Sequence, residues 1–99
     1  MKVIWSARAL ERVVEIAEFI ATDQPNAAAN WVEGIFAAAE PLGRFPRMGR
    51  QVPESDRPEL REVLHDGFRI IYRIHDESVR IYTVRHSRQS LLPDDPDLQ

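Results

Sequence analysis

The chain is predicted to fold as one α+β domain in the order β-α-α-β-β-β, with a helical hairpin packed on one face of a small antiparallel-rich sheet. Three observations lead there. Two stretches before residue 43 repeat their apolar side chains at the 3.6-residue helical period, with only a few residues between them. Beyond residue 59 the period drops to two. The 99 residues are 43% hydrophobic and 29% charged, an ordinary globular balance for one domain and too short for two. Neither layer can bury its apolar side alone, so the helices must cover one sheet face.

The elements follow in order. Lys2–Trp5 is a short β-prone run, expected to pair at or near a sheet edge. Ser6 then caps a helix reaching about Thr22. At 100° per residue, Leu10, Val13, Val14, Ile16, Ala17, Ile20 and Ala21 fall in an arc of roughly 160°, and the charged residues fall opposite. Phe19 lies in the polar arc, so it either widens the buried stripe or marks a partner-binding surface. Pro25 restarts the pattern, and a second helix runs to about Leu42 with Trp31 near the stripe edge and Gly43 as its C-cap. Residues 43–59, with three prolines, two glycines and four arginines, read as a loop longer than most connections. Strands are expected at Leu60–His65, Phe68–His75 and Val79–Arg85, with Asp66-Gly67 as a hairpin turn. The domain is expected to occupy residues 1–92, and 93–99 to be a flexible acidic tail.

Composition excludes several function classes. No cysteine is present, so there is no disulfide, thiol nucleophile or cysteine metal site, which fits a cytoplasmic protein. No apolar run approaches the roughly 18 residues of a membrane span, and the N-terminus lacks the uncharged stretch of a signal peptide. The net charge of −3 argues against a globally basic nucleic-acid binder. The charge is uneven, however. All ten cations after residue 42 are arginine, the side chain suited to bidentate anion contacts. That bias reflects either anion recognition or simply codon usage.

No phosphate loop, dinucleotide fingerprint, zinc-protease helix or nucleophile elbow is present, and no cofactor or metal is expected. What remains is a cationic constellation on the late strands: Arg61, Arg69, Arg73, Arg85, His86 and Arg88. Alternation groups Arg61, Val63 and His65 on one face, and Tyr82, Val84 and His86 on one face. If Arg61 and His86 share a solvent side, a phosphate fits between them, with the imidazole as acid or base. The alternative is a solvated sheet face with a histidine at a strand end.

The sequence resembles the RelE/ParE superfamily of bacterial type II toxins, and is most similar to the ParE branch. The resemblance spans residues 3–88. It rests on Trp5-Ser6-x-x-Ala9, Ile20-Ala21, Asp23-Gln24-Pro25, Leu42-x-x-Phe45-Pro46-x-x-Gly49-Arg50, Leu60-Arg61-Glu62, Phe68 through Ile74, and Val84-x-His86-x-Arg88, in that order and spacing.

The resemblance implies a toxin neutralised by a small cognate antitoxin of ParD type in a hetero-oligomer. For ParE-like members it implies poisoning of DNA gyrase. For RelE-like members it implies cleavage of messenger RNA on the ribosome, with Arg61, His86 and Arg88 as the matching groups. A degenerate member that only pairs with its antitoxin is a third alternative. Three departures count against cleavage: no lysine in residues 43–59, no tyrosine after Tyr82, and an acidic net charge where RNA phosphates demand attraction. Gyrase contacts are expected from Arg44, Arg47 and Arg50, the sheet face or the chain end. The antitoxin is expected along the helical hairpin at Phe19 and Trp31, with Arg69, Arg73 and Arg80 meeting its acidic residues.

Overall fold

In a computed structural model describing residues 1–99, Ser6 opens the first helix as its composition requires, its hydroxyl accepting the Ala9 N–H at 3.0 Å. The chain runs β1 (Lys2–Trp5), α1 (Ala7–Asp23), α2 (Pro25–Ala39), β2 (Arg50–Gln51), β3 (Leu60–His65), β4 (Phe68–His75) and β5 (Ser78–His86). Gln24 alone separates the helices, ending one and starting the other. So tight a reversal sets them antiparallel against each other. The second helix stops earlier than its pattern. Pro41 has no N–H to donate back, and the backbone tightens into a 3-10 turn at Glu40–Gly43. No helix is long and apolar enough to cross a membrane.

The five strands lie in the order β1-β5-β4-β3-β2. β1 pairs parallel with β5, and the rest are antiparallel. The extra strand, β2, is a two-residue piece of the segment read as loop. At the β3–β4 hairpin Asp66 and Gly67 take φ of 50° and 81°, the two positive values that a two-residue hairpin turn needs.

Between helices and sheet lies the main core. Ala9, Val13, Trp31, Ile35, Ala39 and Leu42 meet Ile70, Tyr72, Val79, Ile81 and Val84. Fully burying a side chain such as Ile35 contributes about 1.5–3 kcal/mol. The stripe on α1 is wider than the sheet can cover, so Leu10 and Val14, expected inside, are 42% and 54% exposed.

The other face of the sheet, the reverse face, departs from expectation. It carries its own apolar cluster, in which Val52, Leu60, Ile71 and Tyr82 are closed over by Leu91 and Leu98. The acidic end therefore does not fray. It turns through a short 3-10 segment at Pro96–Leu98 that leaves Asp97 and Leu98 buried. Leu91 and Leu98 supply the apolar anchors, and arginines on the sheet and α1 receive the carboxylates.

Candidate functional site

Strand alternation and one irregularity decide where the cations go. On β4, Phe68, Ile70, Tyr72 and Ile74 face the helices, which sends Arg69, Ile71, Arg73 and His75 to the reverse face. In β5 the register shifts: Ile71 faces Thr83 while Tyr72 faces Ile81, so Tyr82 is an extra residue in a β-bulge. The bulge overturns one grouping read from alternation. Tyr82 points to the reverse face, whereas Val84 joins the helix-side core and His86 follows it. A bulge cannot be read from period two because it interrupts that period.

The consequence for Arg61 and His86 is separation. They do share a side of the sheet, but it is the side the helices cover. Arg61 faces Tyr72 and His86 faces Phe68; four residues along β4 and two strand spacings put their Cα atoms roughly 16 Å apart. Arg61 donates to the Gly49 carbonyl at 2.7 Å. The His86 ring stands edge-on to Phe68 with centroids 5.5 Å apart, and its Nδ1 accepts the Arg88 N–H at 3.1 Å. Arg88 itself is exposed. It lines a polar hollow with Arg50, Arg69, Ser87 and Ser90. No cluster of three or more histidine, cysteine or acidic side chains could hold a metal ion.

Arg61 belongs to a knot that sets the preceding loop. The Tyr72 hydroxyl donates to the Pro46 carbonyl at 2.7 Å and accepts the Gly49 N–H at 3.0 Å; burial raises the phenol's pKa, the Gly49 bond opposing it. A Cβ on Gly49 would stand 2.6 Å from both the Glu62 carbonyl and the Tyr72 hydroxyl, so only glycine passes here. Fixed at this end, the loop presents Phe45 and Met48, 62% and 47% exposed, each directly after an exposed arginine, Arg44 and Arg47. Neither arginine has a carboxylate partner. Arg50 differs, being paired with Glu62 at 2.7 Å.

On the reverse face, Arg69 is buried, contrary to its expected role on an open surface. It donates to Glu62 at 2.7 Å, to both Glu54 oxygens at 2.7 Å, and to the Gln89 carbonyl at 2.8 Å. Its hydrogen bonds hold the Glu54 carboxyl down at about 2, against burial, and that carboxylate also accepts the Leu91 N–H at 2.9 Å. Beside it Arg85 meets Asp95 at 2.8 Å and Asp97 at 3.3 Å. Arg12 reaches from α1 to Asp97 at 2.7 Å, and Thr83 donates to the same carboxylate at 2.9 Å. Hydrogen bonding to Arg12 lowers the Asp97 pKa despite burial. Burial would raise Asp95, but Arg85 reverses this and the net shift is downward. Glu54, Asp95 and Asp97 were not singled out from the sequence, and Glu62 entered only within the Leu60-Arg61-Glu62 motif, without a role. Only Glu62 carried a signal, an acid at an inward position of an alternating strand.

Arg73 and Arg80 lie at the other end of this face. They are register partners, Arg73 half-buried and Arg80 exposed, with no carboxylate on either. On the helical layer Phe19 is 81% exposed. It borders a hollow of about 330 Å³ lined by Glu15, Ile16, Phe68, His86 and Gln89. Trp31 is buried against Phe68 with centroids 5.1 Å apart, so it is a core residue and not the surface anchor expected.

A helical hairpin laid over a five-stranded mixed sheet, its first strand parallel to its last, is the fold of solved toxins of toxin–antitoxin systems. The toxin–antitoxin complex RelBE2 from Mycobacterium tuberculosis superposes with a TM-score of 0.58 at 25% identity, over 86% of this chain and 95% of that one. The chromosomal ParDE system from P. aeruginosa superposes with a TM-score of 0.76 over 87% of this chain and 95% of the other; at 19% identity that likeness is one of fold. Residues 3–91 match a family model described as the ParE toxin of the type II toxin-antitoxin system parDE. A Sinorhizobium fredii protein named "Putative toxin Y4kP" is 39% identical over 89 residues, which is 89% of this chain and 90% of that protein. The chain belongs to the ParE toxin family and is the toxin component of a type II toxin–antitoxin system.

Proposed function

We propose that this toxin acts by binding and not by cutting RNA: in the cytoplasm it poisons DNA gyrase, and a ParD-like antitoxin neutralises it. The observation that carries this reading is the dispersal of the groups cleavage would need. Arg61 is committed to a backbone carbonyl, and His86 stands on the far side of β4. Arg69 is neutralised by two carboxylates. Preorganised charge aimed at one reacting phosphate is what phosphodiester chemistry requires, and that convergence is missing. The arginine loop supports a binding role, because aromatic and cationic side chains on a rigid, exposed segment suit a protein–protein contact.

For the antitoxin, α1 offers exposed Phe19 on one side and exposed Leu10 and Val14 on the opposite side. An amphipathic helix docks on apolar anchors of that kind. Phe19→Asp is expected to weaken antitoxin binding about tenfold or more, measured by calorimetry; unchanged affinity places the antitoxin elsewhere.

Plasmid supercoiling by purified gyrase tests the target. Inhibition with linear DNA accumulating after detergent and protease is the expected result. Gyrase unaffected by folded protein would sink the reading and turn attention to the ribosome. Growth arrest should survive His86→Ala under the binding reading, whereas cleavage using that imidazole would lose roughly 100-fold or more in rate.

A further inference from the structure

Between the 3-10 turn and β2 the chain leaves regular structure but keeps its hydrogen bonds. The Arg44 and Phe45 N–H groups both donate to the Pro41 carbonyl, at 3.0 and 2.9 Å, and the Met48 N–H donates to the Phe45 carbonyl at 3.1 Å. The Tyr72 hydroxyl donates to the Pro46 carbonyl and accepts the Gly49 N–H. Arg61 donates to the Gly49 carbonyl. Arg47 and Met48 therefore lie between two backbone groups held by one hydroxyl. A loop tied this closely surrenders little conformational freedom when it binds.

The side chains on this frame do nothing for the fold. Arg44, Phe45, Arg47 and Met48 are all exposed, and none belongs to either apolar cluster. Neither Arg44 nor Arg47 forms an ion pair. The frame beneath them nonetheless draws on the interior. Tyr72 is wholly buried, with its ring in the main core, and a phenylalanine would fill that space equally well. Both hydrogen bonds of the hydroxyl go to the loop. Burial raises the phenol's pKa, so at neutral pH it keeps the proton it gives to Pro46. The ring serves the core and the hydroxyl serves the loop.

We infer that Tyr72 is the positioning residue of the target-binding loop. Its hydroxyl holds Phe45 and Met48 as apolar anchors, with Arg44 and Arg47 beside them, in the arrangement that meets an apolar seat rimmed by acids on gyrase. The assignment rests on the gyrase reading above. The chemistry of the seat follows from the tip. An exposed aromatic ring and an exposed thioether call for an apolar pocket, and two arginines without carboxylates call for acids around it. A single-stranded nucleic acid would stack on Phe45 and meet the arginines but would leave Met48 without a role. The antitoxin anchor Phe19 lies on α1, away from these changes.

The test compares inhibition of gyrase supercoiling by the whole toxin, by Tyr72→Phe, by a tip variant (Phe45→Ala/Arg47→Ala/Met48→Ala) and by the two combined. Melting curves verify folding, and calorimetry gives each variant's affinity for the antitoxin. The half-inhibitory concentration should rise about tenfold or more for the tip variant and about fivefold for Tyr72→Phe. Antitoxin affinity should stay within about twofold throughout. The combined variant should be no weaker than the tip variant, because the hydroxyl acts only through the tip. A purely structural loss would add to it. Arg61→Met, which frees the Gly49 carbonyl without touching the core, should repeat the pattern even if Tyr72→Phe does not fold. Full potency in Tyr72→Phe, or a further loss when it is added to the tip variant, overturns the assignment. A tip variant as potent as the unaltered toxin overturns it too, placing the contact elsewhere while the gyrase reading stands. If the unaltered toxin leaves gyrase unaffected, that reading fails and takes the assignment with it.

Discussion

The two ends of the reverse face are built from the same side chains and behave as opposites. At one end a facing pair of arginines is locked into a four-carboxylate network that fastens the C-terminal segment to the sheet. At the other, an equivalent pair, half-buried Arg73 and exposed Arg80, has no carboxylate on it; a buried guanidinium Nε without a partner is found at both ends, on Arg73 and on Arg85. The difference teaches that an arginine's role is set by which carboxylates the chain brings to it. Arg69 and Arg73, four residues apart on one strand face, are a structural rivet and an arginine with no carboxylate partner.

The sharpest way to break that comparison is to remove the rivet. Arg69→Ala leaves Glu62, almost wholly buried, beside no fully inserted cation; loss of one member of such a buried pair costs about 3–5 kcal/mol. Urea unfolding should show most of the stability gone. A midpoint shifted by less than about 1 kcal/mol would mean that the network is decorative.

Asp97→Ala should be milder. It frees Arg12, Arg85 and Thr83 of one acceptor and costs about 1–3 kcal/mol, with hydrogen exchange quickening across residues 91–98 before the core responds. Retained protection there would assign the docking to Leu91 and Leu98 alone.

Acid probes the same end without mutation. Glu54, Asp95 and Asp97 all have lowered pKa values. Carboxylates depressed in the folded state contribute stability that is complete above their unfolded values and is lost as pH falls through the folded ones. For Glu54 that window runs from about 4.5 down to about 2. Stability should hold from pH 7 to 5 and then decline, the C-terminal segment loosening first; a flat profile to pH 2.5 contradicts the network.

The smallest effect on stability belongs to the open end. Arg73→Gln with Arg80→Gln should be neutral or slightly stabilising, within about 0.5 kcal/mol, because it removes a facing like-charge pair. A large loss would reveal a structural role and erase the contrast between the two ends.

Much of the architecture could be read before any coordinates. The Ser6 cap, the Pro25 restart, the Asp66-Gly67 turn and the period-two strands depend on neighbours in the chain, so local sequence carries them. The candidate site was legible only in part. Arg69, Arg73 and Arg80 were grouped only as exposed charges; all three lie on the reverse face, but Arg69 is buried under Glu54, fifteen residues upstream. Phe19 stood out because it violates its helix's stripe. Trp31, expected at a stripe edge, is instead core. The pairing of Tyr82 with His86 was broken by a bulge that no periodicity announces.

What the sequence alone determined is therefore everything governed by short-range physics: helix starts and stops, turn chemistry, which face of each element is apolar, and the motif order that marks the family. The tertiary structure alone decided which charges are spent. Whether an acid at 54, 95 or 97 meets a given arginine depends on long-range chain return and on a one-residue bulge. Coulomb energy follows distance in space and is indifferent to separation along the chain.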